Sequence, residues 1–229
     1  MRTIVPLSSI LSDIDEDSAG IVIRNNKMIK DFLIINCTGS NNSIGLRVNN
    51  KFFIKELQIN LFKNETLALE IVNFTKKHNI EINKNFSILV NSGPGSFSGV
   101  RIALAIAKGI QLVKNTKTYS YNNFLINAAP YLVKNQELIS IQKTKNFYYY
   151  CKGTFNGNYH FSNPTKVDIK KFYNKNSLII VPKEIKNDDI IKDLKLEKIT
   201  IAEFNLKNID LLIEKKLVEN KLIKPLYLS

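Results

Sequence analysis

The chain has few residues suited to metal, redox or disulfide chemistry. Its 229 residues hold two cysteines, Cys37 and Cys151, far apart and in no metal-ligand spacing. Two isolated thiols fit a reducing cytoplasm better than a disulfide framework. The two histidines, His78 and His160, form neither an HxxxH nor an HExxH pair, so no zinc or iron site built from them is expected. His78 reads instead as a surface residue at a helix end. No apolar run approaches the length of a membrane span, and the N-terminus lacks the unbroken apolar core of a signal peptide, so a soluble, internal protein with no membrane contact is expected. Acidic residues are also scarce, 20 against 33 Lys and Arg, for a formal net charge of +13. Such a balance favours phosphates or acidic partners. The lysines, however, are scattered among asparagines and isoleucines without a run of five or six. An AT-rich genome yields the same composition, and a dedicated nucleic-acid surface stands as the alternative.

With 44% hydrophobic and 23% charged residues the composition is that of a globular protein long enough to bury a proper core. The most informative stretch is SILVNSGPGSFSGVRIALAIAKGIQLV, from Ser87 to Val113. A β-rich run (Ile88, Leu89, Val90) meets a turn made by Gly93, Pro94 and Gly95, and a long apolar pattern follows from Val100. The pattern predicts strand, turn and helix, with Ser96 or Ser98 as the cap. The helix has almost no polar face. Ile102, Ile106, Ile110 and Val113 form a stripe of large residues, Gly99, Ala103 and Ala107 a stripe of small ones, and Arg101 and Lys108 share one charged edge. More than one neighbour is expected for such a helix, and the small stripe admits a second helix from the fold or from a partner.

The glycine turn lacks the Lys-Ser or Lys-Thr that a Walker loop places after its last glycine. It therefore reads first as a structural turn, with a nucleotide contact as the alternative, and Arg101 suits an ion pair or a partner contact. Elsewhere the chain predicts three short strands (FLIINCT, SIGLRV, FFIKEL) with an Asn49-Asn50 hairpin turn, then a helix over 63–79 with Leu67, Ile71 and Phe74 on its apolar face. KTYSY predicts a strand and Asn122 to Val133 a helix. Beyond residue 135 strands begin again (ELISIQK, FYYYCKGTF, NYHFSN, SLIIVP, KITI), and an amphipathic helix over 208–218 follows. Residues 28–135 and 136–229 are expected to form two lobes. Residues 1–27, with the acidic cluster Asp13, Asp15, Glu16 and Asp17, read as an extension or as a start placed too early, with Met28 as the natural one.

GPGSFSGVRIALAIAKGI resembles the GPGSFTGLRIGVATAKGL signature of the TsaB (YeaZ) family, which takes part in making N6-threonylcarbamoyladenosine in tRNA. The ending KPLYLS resembles that family's Pro-x-Tyr-Leu-Arg, with Ser229 in place of the arginine. Residues of the turn that carry the resemblance are Gly93, Pro94, Gly95, Ser96, Phe97, Gly99 and Arg101. The family's usual His-Ser-Glu is Lys63, Asn64 and Glu65 here, and the second-lobe acidic residues have become Gln142, Lys143 and Phe147 to Tyr149. The resemblance implies an α/β fold of two actin-like (ASKHA, ribonuclease H-like) lobes, the second reduced. In that superfold the first strand commonly ends in an Asp that positions a metal-bound phosphate, and here Asn36 stands at that place.

What the resemblance implies for function is a non-catalytic scaffold subunit. It would pair with a TsaD-like catalytic subunit through helices of the first lobe, act beside a TsaE-like ATPase, and hold tRNA through the complex. Cofactors are expected on those partners, as ATP and a metal, and none on this chain; a homodimer is a further assembly to consider. Leu67, Ile71, Phe74, Gly99, Ala103 and Ala107 are the candidate partner-contact residues, with core packing as the alternative for each. Two readings of other classes stand beside this one: a stand-alone RNA-binding protein, which the positive charge favours, and an ATP-dependent actin-fold phosphotransferase, which Asn36 disfavours.

Overall fold

The structure, a computed structural model, describes residues 29–39, 41–58, 64–145, 147–167, 177–192, 199–220 and 224–228. The readings of residues 1–27 and Met28 lie outside the described residues, as do Lys63 and the side chains of Asn64 and Glu65.

The first sheet grows from β1 (Phe32–Asn36), whose five residues are all buried. Such a strand must be covered on both faces. Leu33 and Ile35 point into a core with Leu67, Ile71 and Phe74 of α1 (Asn64–Lys77) and Ala103 and Ala107 of α2 (Phe97–Lys114). Phe32 and Ile34 point the other way, against Leu125 and Ile126 of α3 (Asn123–Ala128) and Ile209 and Leu212 of α5 (Ile209–Glu214). β1 pairs antiparallel with β2 (Ser43–Val48), which pairs antiparallel with β3 (Lys51–Glu56). Asn49 and Asn50 between them have φ of 49° and 63°, the left-handed pair that a two-residue hairpin needs. On its other side β1 runs parallel to β4 (Ser87–Asn91), and β4 to β5 (Lys117–Tyr121).

The second sheet repeats this plan. β6 (Leu138–Thr144), β7 (Phe147–Asn156) and β8 (Asn158–Phe161) form an antiparallel meander, β10 (Leu178–Pro182) runs parallel to β6, and β11 (Ile199–Ala202) runs parallel to β10. The short β9 (Thr165–Lys166) pairs with β7. Read outward from the meander, the first sheet is ordered β3-β2-β1-β4-β5 and the second β8-β7-β6-β10-β11, one connectivity used twice. This is the actin-like two-lobed α/β plan expected from the sequence. Between β10 and β11 the described residues include α4 (Asp189–Lys192), at the place in this connectivity that α2 holds in the first lobe. Leu206, Ile209 and Leu212, after the last strand, return to the core of the first sheet.

Two helices are shorter than the sequence predicts. The one expected over 122–133 is α-helical only to Ala128 and ends in a 3-10 turn over Ala129–Tyr131. Pro130 lacks the N–H that an α-helix would need there. The one expected over 208–218 stops at Glu214, and Lys216 follows with φ of 56°. α2 begins at Phe97, three residues earlier than its apolar pattern, because Ser96 caps it. The Ser96 hydroxyl accepts from Gly99 N at 3.2 Å.

Candidate functional site

The glycine turn is a packing device. An added Cβ on Gly95 would lie 2.0 Å from the Thr38 carbonyl oxygen, and one on Gly99 would lie 2.2 Å from the Cys37 carbonyl oxygen. Only hydrogen at these positions lets the start of α2 lie against the chain leaving β1. Three amides at the turn are engaged inside the protein: Ser96 N donates to Thr38 O at 2.7 Å, Gly93 N to Asn91 Oδ1 at 3.0 Å and Gly99 N to the Ser96 hydroxyl. Those three are not free for a phosphate cradle, and the close approaches at Gly95 and Gly99 give the glycines a structural role.

Beside the turn, amides meet around Asn36, the position at which the resemblance implies a carboxylate. Asn36, fully buried, accepts from Asn91 Nδ2 at 2.9 Å and from the Thr38 hydroxyl at 3.0 Å, while its own Nδ2 donates to Asn41 O at 2.6 Å. Asn91 Nδ2 also donates to Asn123 Oδ1 at 2.6 Å, and Asn123 Nδ2 to Pro94 O at 2.7 Å. Thr38, Asn41, Pro94 and Asn123 of this network line a cleft of about 140 Å³ between the lobes, with Asn127, Gln142, Lys143 and Glu184 also in its lining, while Asn36 and Asn91 lie fully buried behind them. Asn41 Nδ2 donates to Glu184 Oε1 across it at 2.7 Å. On the second lobe, Asp188 accepts from Lys143 at 2.8 Å and from the Tyr148 hydroxyl at 2.5 Å. Those bonds hold its carboxyl below the usual range and raise Lys143. That carboxylate is an acceptor already engaged, poorly placed to act as a base.

A second concavity lies between α1 and α2. It has a volume of about 500 Å³ and an almost wholly apolar lining that includes Ala68, Val72, Ile106, Ile110 and Val113. Leu69 and Leu112 are also exposed, and Val113 is 80% exposed. The six residues predicted for partner contact lie elsewhere. Leu67, Phe74, Gly99, Ala103 and Ala107 are buried in the chain's own core, and Ile71, also buried, reaches only the groove floor. The small stripe of α2 faces the chain's own sheet, since its glycine and alanines permit the close approach just described. The large stripe is the one that reaches the groove. Leu69, Val72 and Leu112 fall outside the apolar stripes that the i, i+4 spacing picks out. Their signal is an excess of apolar residues over the one face that a core-facing helix requires.

Arg101 engages no carboxylate among the described residues. Its guanidinium lies 3.9 Å from the centroid of the Phe97 ring, and its Nε donates to the Tyr227 hydroxyl at 2.8 Å. The Phe97 and Tyr227 rings are 5.2 Å apart and tilted by 32°. Leu226 N donates to Ser92 O at 2.8 Å, which lays the C-terminal segment along the glycine turn. His78 follows α1, stacked at 4.1 Å on Phe53 and 5.0 Å from Phe74. Cys37 and Cys151 are buried, and burial pushes each thiol up to about 12. Phe147 lies in the open, but Tyr148 and Tyr149 are both buried, in separate core clusters, so this part of β7 is covered on both faces and buried and open residues alternate only from Cys151 onward.

No family model matches the chain. The tRNA threonylcarbamoyladenosine biosynthesis protein TsaB of Buchnera aphidicola subsp. Baizongia pistaciae (strain Bp) is 33% identical over 138 residues, 57% of this chain. The chain spans 62% of the length of that curated relative. YeaZ from Pseudomonas aeruginosa superimposes with a TM-score of 0.65 at 12% identity, over 87% of this chain and all of that one. A second P. aeruginosa crystal structure, of an uncharacterized protein with similarity to peptidase YeaZ, gives the same values. At that identity the structural likeness is one of fold.

Proposed function

From a chain that carries the sequence resemblance and the fold of the TsaB (YeaZ) family, we propose a subunit of tRNA threonylcarbamoyladenosine biosynthesis that does no chemistry itself and docks a TsaD-like catalytic subunit over the α1/α2 groove. The groove carries this reading. Apolar side chains on two adjacent helices stand open to solvent around it, and an exposed apolar concavity of this size is stabilised when another apolar surface covers it. The cleft supports the non-catalytic part. Asn36, Asn91 and Asn123 satisfy one another as neutral amides, and an amide cannot attract a metal ion as a carboxylate does. ATP and metal belong, in this reading, to the catalytic subunit and a TsaE-like ATPase, and tRNA is held by the assembly. A phosphotransferase reading gains nothing from the cleft.

The test is co-purification of the full chain with the TsaD of the same organism, wild type against Val113→Glu and Val72→Glu. Both positions are exposed, so both variants should fold, and a buried unpaired carboxylate should oppose docking. Loss of the complex in the variants supports the proposal. A wild type that does not associate, or variants that associate as well as it does, overturns it.

A further inference from the structure

The two sequence stretches that carry the family resemblance meet in space. Phe97 and Arg101 come from the glycine motif and its helix, and Tyr227 from the C-terminal segment. Their side chains are not core. Phe97 is 55% exposed and Tyr227 52%. Two half-exposed rings held together by a guanidinium make a poor packing element, because water keeps access to much of their apolar surface. They make a good stacking surface. A guanidinium seated over one ring, with its Nε fixed by a hydroxyl on another, is held in place before any ligand arrives and loses little freedom on binding.

The charge beside the rings says what kind of ligand suits this surface. The stretch from Ile82 to Gln136 has no acidic residue, and of its basic ones Arg101 and Lys108 lie on the ring side of α2, while Lys114 lies at the far end of α2, Lys117 pairs with Ser87 at the far end of β4 and Lys134 lies against Phe155. α2 itself carries Arg101, Lys108 and Lys114 and no carboxylate, and nothing between Asn220 and Ser229 is acidic. At about 100° per residue, Lys108 lies on the same edge of α2 as Arg101, roughly 10 Å further along. Both point well over 90° away from Ile106, Ile110 and Val113. The aromatic surface and the apolar groove are therefore different faces of one helix.

We infer that Phe97, Arg101 and Tyr227 form a contact site for unpaired RNA. A base stacks on the ring and guanidinium surface, and backbone phosphates pair with the remaining N–H groups of Arg101 and with Lys108. Stacking requires an open base face, so the site discriminates against duplex, whose base faces are covered. This goes beyond the docking proposal and does not depend on it, because it concerns another face and can be measured on the chain alone.

The experiment is fluorescence-anisotropy binding of labelled oligouridine and of a blunt RNA duplex of equal charge to the full-length protein at near-physiological salt. Variants are Phe97→Ala, Arg101→Gln, Arg101→Lys and Lys51→Gln. Lys51 is exposed on β3 and removes the same charge elsewhere. Oligouridine should bind more tightly than the duplex. Phe97→Ala and Arg101→Gln should each weaken it about tenfold, and Lys51→Gln by less than about threefold. Arg101→Lys keeps the charge but not the plane, and should fall between wild type and Arg101→Gln. Circular dichroism checks that each variant is folded. Equal affinity for duplex and single strand, no measurable binding by the wild type, or an Arg101→Gln protein no weaker than Lys51→Gln overturns the inference. Val113→Glu serves as the separating case: it should lose the catalytic subunit and still bind oligouridine, so the two proposals fail independently.

Discussion

Replacing Gly99 by alanine should destabilise the protein, although alanine is the better helix former. The added Cβ would sit 2.2 Å from the Cys37 carbonyl oxygen, a backbone atom that cannot swing aside. An unstrained carbon–oxygen contact is about 3.3 Å or more, so α2 and the end of β1 must part by about 1 Å. Overpacking of this kind costs about 1–3 kcal/mol. The same shift stretches the 2.7 Å bond from Ser96 N to Thr38 O, a net contribution of about 1 kcal/mol. Helix propensity returns about 1 kcal/mol, which leaves a net loss of about 2 kcal/mol and a Tm lower by about 4–8 °C. Gly109 in the same helix is the control. A Cβ there meets nothing within 4 Å, so Gly109→Ala keeps only the propensity gain and should raise Tm by about 2–4 °C. Thermal and urea unfolding followed at 222 nm would read both. If Gly99→Ala matches the wild type in stability, the motif glycine is not a packing device, and the structural account of the turn fails with it.

Asn36→Asp would place a carboxylate against the Asn41 carbonyl in a fully buried network. Burial raises the folded-state pKa of such a group, so the variant should be near wild-type stability below pH 4 and lose about 3 kcal/mol as pH rises to neutrality; urea midpoints that differ from the wild type by a constant amount between pH 4.5 and 7.5 would contradict this. Cys37 and Cys151, each shifted from 9.0 to about 12 by burial, stay protonated in the fold while the unfolded chain ionises. Their contribution is fully present below pH 9 and is lost toward pH 12, at about 1.4 kcal/mol per pH unit for each thiol. A thiol reagent should accordingly leave both untouched at pH 8 until the protein unfolds, and rapid labelling of the native protein would refute their placement. Phe74→Ala should cost about 3–5 kcal/mol, while Leu69→Ala, five residues earlier but exposed, should stay within about 0.5 kcal/mol. Similar losses at both would mean that the outward face of α1 is not free.

Much of the first lobe was legible because its signals are local. Asn49-Asn50 specifies a hairpin by its tolerance of positive φ, and the run Phe32 to Asn36, apolar at both alternations, specifies a strand covered on both faces. The glycine motif could be read as a tight turn but not as a contact with the Thr38 and Cys37 carbonyls, since those lie some sixty residues earlier and only the parallel pairing of β1 with β4 brings them close. The same limit inverted the two stripes of α2. Periodicity groups Ile106, Ile110 and Val113 apart from Gly99, Ala103 and Ala107, yet it cannot say which group faces the sheet. A close approach to backbone favours the small residues, and that approach is a tertiary fact. The cleft was half legible. Asn36 stood out against the carboxylate usual in the superfold, but Asn91, Asn123 and Asn127 are ordinary asparagines in an asparagine-rich chain until the fold collects them.

Polar side chains at the cleft also tie the lobes together. Gln142 of the second sheet donates to Asn123 O at 3.3 Å, Ser140 to Phe124 O at 2.9 Å, and Asn41 reaches Glu184 from the opposite side. Leu226 and Leu228 pack with Phe124 of the first lobe and with Tyr149 and Cys151 of the second, while Leu226 N holds Ser92 O. An actin-like phosphotransferase opens and closes about its nucleotide, so its lobes must part cheaply. Here hydrogen bonds cross the cleft with no ligand needed to draw it shut, and the C-terminal segment bridges both halves. For a subunit whose proposed work is to present one helix pair to a partner, a cleft fixed in this way is an advantage: surfaces already ordered lose less conformational entropy on docking, and more of the apolar contact then appears as affinity. The two halves of the proposal thus rest on different bonds: neutral Asn36 withholds the charge that phosphoryl chemistry needs, and the hydrogen bonds of Asn41, Ser140 and Gln142 across the cleft hold a scaffold rigid.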